Sequence, residues 1–127
     1  MANLVEKELS YKIVGALFNV YNSLGGGYQE KYYQRAIAKE LSNQRIGFKE
    51  QVYIPLYYGK ENIGRYFLDF VINEKIVLEI KAGSKFYIKD IKQILAYLKA
   101  NNIQLGILAN FSRQGLQLKR ILKGSSK

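Results

Sequence analysis

Three charged residues interrupt the most apolar part of this chain. The segment Asp69-Phe70-Val71-Ile72-Asn73-Glu74-Lys75-Ile76-Val77-Leu78-Glu79-Ile80-Lys81 places an aspartate in one strand-like run and a glutamate and a lysine two residues apart in the next. A strand alternates its faces with period two, so Glu79 and Lys81 point one way while Leu78 and Ile80 point the other. Charges in Val/Ile/Leu-rich strands are costly to desolvate and are usually paired or bound to a metal. A sheet that buries these strands must therefore gather the three groups. Two outcomes satisfy that demand. One is a structural ion pair of Lys81 with Glu79 or Asp69. The other is a chemical site, with carboxylate oxygens for a hard divalent cation and an ammonium for a phosphate, as metal-assisted cleavage of a phosphodiester requires.

Register decides whether Asp69 and Glu79 can meet. If Ile72 pairs with Lys75 across a two-residue turn, the two carboxylates lie on opposite faces. If Ile72 pairs with Ile76 across Asn73-Glu74-Lys75, Asp69 lies opposite Glu79. The second register also gathers Leu68, Phe70, Ile72, Leu78 and Ile80 on one apolar face. A one-residue slip would flip every side chain, so the hydrophobic pattern favours the three-residue turn.

Around this hairpin the chain alternates helix and strand signals. Residues 4–23 carry Leu4, Leu9, Ile13, Leu17 and Val20 near helical spacing and stop at Gly25-Gly26-Gly27. No Gly-Lys-Ser/Thr follows, so this is not a phosphate loop. A second helix is expected from about Tyr28 to Leu41. Strands follow at Phe48–Tyr58 and Ile63–Ile72, with a turn at Gly59-Lys60-Glu61-Asn62 between them, and then at Lys75–Lys81. A helix from Tyr87 to Asn101 buries Ile88, Ile91, Leu95 and Leu98. The apolar run Ile103–Phe111 reads as a strand covered on both faces, and Leu116–Leu122 as an edge strand. The order predicts an α/β domain of three layers, a mixed sheet with an αβββαβ core flanked by helices. The expected unit is one domain over residues 1–127, with a frayed tail at 124–127.

The helices offer further candidates. Glu30, Tyr33, Gln34, Ile37 and Leu41 share one helical face, so Glu30 lies on the buried stripe one turn from the glycines. A first-turn glutamate is also explained by the helix dipole alone. Its place on that stripe is what favours a role in the site, and Glu30, Asp69, Glu79 and Lys81 are expected to converge on one pocket. Gln93 and Tyr97 lie one turn apart on the later helix, either as a surface pair or as an amide and a phenol able to hold a phosphate oxygen or a water. Asp90 is a weaker acidic candidate on a neighbouring part of that face.

Composition removes the competing chemistries. The 127 residues include no cysteine and no histidine, which excludes disulfides, thiolate catalysis, Ser-His triads and His- or Cys-ligated metals. Any catalysis must run on carboxylates, Lys, Tyr or a metal held by oxygen, and Mg²⁺ or Mn²⁺ suits such donors. No apolar run approaches the roughly 20 residues of a membrane span, and no signal peptide is evident, so the expected location is the cytoplasm. The formal net charge of +10 suggests a polyanionic partner. Basic residues thicken late in the chain, among them Lys85, Lys89, Lys92, Arg113, Lys119 and Arg120. The 11 tyrosines suit stacking on bases, or equally core packing.

The strand–turn–strand with Asp69 and Glu79-Ile80-Lys81, in an αβββαβ order, resembles the PD-(D/E)XK nuclease superfamily and its restriction-endonuclease-like fold. Gly27-Tyr28-Gln29-Glu30-Lys31-Tyr32-Tyr33 fits Gly-x-x-Glu-x-x-Tyr. With Gln93-Ile94-Leu95-Ala96-Tyr97-Leu98-Lys99-Ala100, it resembles the GxxExxY family. The likeness runs from Leu9 to about Ile121 and departs from the pattern where Leu68 replaces a proline. It implies that Asp69, Glu79 and the backbone carbonyl of Ile80 hold the metal and that Glu30 completes its shell. Lys81 would contact the scissile phosphate or orient the attacking water. Gln93 and Tyr97 resemble the Gln-x-x-x-Tyr element of RecB-like and phage exonucleases. The function so implied is a Mg²⁺- or Mn²⁺-dependent nuclease acting on DNA, with Lys85, Lys89, Lys92, Lys119 and Arg120 lining the approach. The alternatives are a non-catalytic nucleic-acid-binding module of the same fold and a resolvase of the Holliday-junction type, acting as a homodimer.

Overall fold

The structure, a computed structural model, describes residues 6–124. Leu4 and the last three residues of the expected frayed tail lie outside the described residues. In chain order the elements are α1 (Lys7–Leu24), α2 (Glu30–Asn43), β1 (Phe48–Tyr58), β2 (Glu61–Ile72), β3 (Ile76–Ala82), α3 (Ile88–Asn101), β4 (Leu105–Ser112) and β5 (Gly115–Leu122). The strands form one five-stranded sheet in the order β1-β2-β3-β4-β5. Short turns make β1–β2, β2–β3 and β4–β5 antiparallel, whereas α3 carries the chain over so that β4 runs parallel to β3. This is the mixed, helix-flanked α/β sheet of the restriction-endonuclease-like fold. No helix among the described residues is long and apolar enough to cross a membrane.

Two apolar layers close on the sheet. Helices α1 and α2 bury Ile13, Leu17, Ile37 and Leu41 against Phe70, Ile72, Leu78, Ile80 and Ile107 on one face. Helix α3 buries Ile91, Ile94 and Leu98 against Leu68, Val71, Val77 and Leu108 on the other, whereas Ile88, expected on that stripe, is exposed and Leu95 only partly buried. The strand β4 is buried along its whole length, its polar Asn110 and Ser112 included. Gly106 lets α3 approach β4 closely, because a Cβ there would press on Ile94 Cγ2.

The hairpin register is the three-residue one. Ile72 pairs with Ile76, and Asn73 and Glu74 both take positive φ (51° and 57°) while the Lys75 N–H donates to the Ile72 carbonyl at 2.9 Å. One detail of the expected pattern does not hold. Phe70, Ile72, Leu78 and Ile80 share a face, but Leu68 packs on the opposite one, with α3. The cause lies at Asp69. The β2–β3 ladder ends at Phe70–Leu78, and Asp69 drops out of the β1–β2 ladder between Phe70–Glu50 and Leu68–Val52. Gln51, skipped on the neighbouring strand, has φ of 50°. Alternation is reset at that point, although the β1–β2 register itself does not shift there, one residue being skipped on each strand. The hairpin β1–β2 then runs on beyond the ladder it shares with β3.

Candidate active site

Where the backbone ladder between β2 and β3 stops, two carboxylates take over its hydrogen bonds. The main-chain N–H of Asp69 donates to Glu79 Oε1 at 2.7 Å, and the N–H of Ile80 donates to Asp69 Oδ2 at 2.7 Å. Both acids are 5% exposed. From α2, Gln34 Nε2 donates to Asp69 Oδ1 at 2.9 Å and to Glu30 Oε2 at 3.2 Å, so one amide ties the helix acid to the strand acid. Lys81, half-buried, directs Nζ to within 3.6 Å of Asp90 Oδ1 in the first turn of α3. The ion pair of Lys81 is therefore with buried Asp90 rather than with Glu79 or Asp69.

The charge balance of this cluster is unusual. Burial pushes the Asp69 carboxyl up to about 6, opposed by the Ile80 N–H, Lys81 and Gln34 and reinforced by the charge of Glu30. Burial, and then the charge of Asp69, push Glu79 up to about 8. Burial works against the Lys81 ammonium, but Glu30, Asp90, Glu79 and Asp69 together outweigh it and hold the amine above its ordinary value. Two buried carboxylates thus share too little positive charge. Among the described residues, no group of three or more carboxylates is set as a ready-made metal cage. The pair Asp69 and Glu79 nevertheless fits Mg²⁺ or Mn²⁺ by donor chemistry, since Mg²⁺ keeps several waters and is commonly held by one or two carboxylates.

A stability prediction follows from the direction of these shifts. Both folded values lie above the unfolded ones of 3.8 and 4.5, so between them the folded state binds more protons than the unfolded state. The pair's contribution to stability is therefore present at low pH and is lost as pH rises through the folded values. In EDTA, Tm should fall between about pH 5 and about pH 9, and millimolar Mg²⁺ should raise it at the upper pH far more than at the lower. A pH-independent Tm, unmoved by metal, would remove the electrostatic case.

The glycine turn is fastened by Tyr33. Its hydroxyl donates to the Gly25 carbonyl at 2.6 Å and accepts the Tyr28 N–H at 3.2 Å, while its ring stacks on Phe111 at 4.2 Å between centroids. Gly27 has φ of 101°, a region in which a side chain is strained. The Gly-x-x-Glu-x-x-Tyr spacing is thus a turn, the acid that Gln34 ties to Asp69 and the clamp that sets how the helix starts. Tyr33→Phe should keep the stacking but lose both bonds, at a cost of about 1–3 kcal/mol in urea unfolding.

Other sequence candidates fall elsewhere. Gln93 offers its main-chain carbonyl to the Tyr66 hydroxyl at 3.0 Å. Tyr97, its phenol pushed up by burial, feels Lys49 and Glu74 rather than the acid cluster. The phenol that does feel Glu79 is Tyr66, raised by burial first and by that charge second. Lys85 lies over the Tyr87 ring at 5.4 Å, just before α3, and Lys89 and Lys92 are exposed on α3. Lys119 and Arg120 sit on edge strand β5 opposite Leu108 and Ile107, which belong to different layers, so the two side chains face opposite ways. Arg120 donates to Ser10 Oγ of α1 at 2.8 Å. These five cations do not form one surface. Gln34 and Tyr66 were given no role by the sequence, although Gln34 shares the Glu30 stripe. Asp90 stood there only as a weak acid.

A sequence profile described as the PD-(D/E)XK nuclease superfamily matches residues 7–121. Among solved structures, the fold is similar to the crystal structure of SSO0001, with a TM-score of 0.57 and 18% identity over 76% of this chain and 50% of that one. A second similarity is to an alkaline exonuclease (LHK-Exo) from Laribacter hongkongensis, with a TM-score of 0.48 and 14% identity over 73% of this chain and 54% of that one. The chain spans about half the length of each. No curated protein matches it.

Proposed function

The chain belongs to the PD-(D/E)XK nuclease superfamily, and from that premise we propose that it is a Mg²⁺-dependent nuclease of the GxxExxY kind, hydrolysing phosphodiester bonds of DNA. The observation that carries this reading is the pair of hydrogen bonds from the Asp69 N–H to Glu79 and from the Ile80 N–H to Asp69 at the mouth of a parted strand pair, with Lys81 beside it. A structural role alone gives little reason to bury two mutually repelling acids where a ladder could have continued.

In this mechanism Asp69, Glu79 and the Ile80 carbonyl would hold the ion, and Glu30 would support it through Gln34. The bound metal would supply positive charge to the phosphate and acidify a water. Four acids favour the charged form of the Lys81 amine, so it is assigned the role of a cation rather than of a base. It acts as a fixed ammonium for a non-bridging phosphate oxygen, and Asp90 positions it. The backbone N–H groups of Asp69 and Ile80 hold the carboxylates in place, so little reorganisation is needed when substrate arrives.

The deciding experiment is a cleavage assay over linear, nicked, single-stranded and branched DNA with Mg²⁺, Mn²⁺ or EDTA. Metal-dependent cleavage supports the nuclease, and preference for branched DNA by a dimer would identify a resolvase. Binding with no cleavage of any substrate favours the non-catalytic module. That rival draws on the carboxylate oxygens of Asp69 already taken by Gln34 and Ile80.

A further inference from the structure

An open cavity of about 390 Å³ lies between the glycine turn, the end of β3 and the β4–β5 turn. Its lining includes Tyr28, Ser84, Arg113 and Gln114 and contains no carboxylate. Arg113 takes part in neither of the ion pairs among the described residues, Lys49 with Glu74 and Lys81 with Asp90. The walls are anchored independently of any ligand. Tyr21 donates its hydroxyl to the Ser112 carbonyl at 2.7 Å, and Asn110 Nδ2 donates to the Gly83 carbonyl at 2.9 Å. Gly26 packs so tightly on the backbone of Ser112 and Arg113 that a Cβ would collide there. Tyr33 fixes the Tyr28 N–H, leaving the Tyr28 ring half-exposed.

Two of these walls run directly into the acid cluster. Ala82 follows Lys81 by one strand step, about 3.3 Å, with its side chain on the opposite face of β3, and Tyr28 precedes by two residues Glu30, whose charge acts on Lys81. A strand of nucleic acid whose phosphate reached Lys81 would bring its neighbouring nucleotide here. A guanidinium is suited to that task, since it presents paired donors to phosphate oxygens, and an exposed phenol stacks on sugars or bases.

We propose that this cavity is a nucleotide subsite, in which Arg113 takes the phosphate adjacent to the one presented to Lys81 and the Tyr28 ring receives the nucleoside attached to it. The subsite rests on the nuclease reading for its ligand class but not on cleavage itself. It sets the strand in register with the acids without reading sequence, because it grips backbone.

The test is a binding experiment in EDTA with oligonucleotides just long enough to span the two phosphate positions, so that they cannot slide to another register, in which one uncharged methylphosphonate linkage is moved along the strand. For the natural chain, one linkage should stand out, weakening binding by about ten- to a hundredfold when neutralised. Arg113→Gln should weaken the all-phosphate oligonucleotide by a similar factor and make that linkage silent. Arg113→Lys, which keeps the charge, should retain part of the sensitivity and guards against a folding defect in the first variant. Losses from Arg113→Gln and from each neutral linkage that simply add would overturn the subsite, as would unchanged affinity of Arg113→Gln. The linkage falling silent without any metal-dependent cleavage would leave the subsite standing and the nuclease reading fallen. Cleavage with purely additive losses would do the reverse, keeping the nuclease and removing the subsite.

Discussion

Asp69→Asn and Glu79→Gln should each slow metal-dependent cleavage by roughly a thousandfold or more while leaving DNA binding intact or tighter. The substitutions are conservative in shape. The amide oxygen introduced by Asp69→Asn can still accept the Ile80 N–H, and that introduced by Glu79→Gln can still accept the Asp69 N–H. What is lost is charge, and with it the affinity for a hard cation, together with the bond that Gln34 donates to Asp69 in the first variant. Both variants should also be more stable than the natural chain in EDTA at alkaline pH, since each removes a buried, mutually repelled carboxylate. Loss of cleavage joined to gain of metal-free stability is difficult to obtain by misfolding. Equal cleavage by variant and natural chain would point to a contaminating nuclease or to a different site.

Much of this site can be read from residue order because the strongest constraint is local. The apolar alternation around Asn73-Glu74-Lys75 selects one register, and that register alone brings Asp69 level with Glu79. The limits of β1, Phe48–Tyr58, and the order of all the elements likewise follow from periodicity and glycine placement. The misplacement of Leu68 has the opposite origin. It depends on Asp69 giving its N–H to a side chain rather than to the next strand, a choice made by tertiary packing. Asp90 is similar, for a first-turn acid on α3 has an adequate explanation in the helix dipole until α3 is laid against β3. Cations are legible as a sum but not as a surface, since Lys119 and Arg120 are neighbours in sequence that face different layers. Arg113 carries no local signal at all, and only the turn that brings it to Gly27 distinguishes it from any other exposed arginine.

Lys81→Met should separate transition-state charge from general attraction for phosphate. The expected loss is about a hundred- to a thousandfold in single-turnover rate, with binding changed by less than about threefold, because the ammonium serves one phosphate as its charge develops. An exposed lysine such as Lys92 should behave in the opposite way. Lys92→Gln should weaken binding to all sequences alike and make the slope of log K against log salt shallower by about one unit or less. Lys81→Met also leaves Asp90 buried without its partner, so a fall in stability is expected alongside the fall in rate. The double substitution Lys81→Met with Asp90→Asn tells these effects apart. It removes the orphaned charge and should recover stability, but it cannot restore the ammonium, so the rate should stay low. Gel-shift titrations at several salt concentrations, single-turnover cleavage and thermal melts on the same preparations supply all the readouts. Recovery of rate together with stability in the double variant would reduce Lys81 to a structural partner of Asp90. Parallel losses of affinity and rate in Lys81→Met, matching those of Lys92→Gln, would make it one more surface cation.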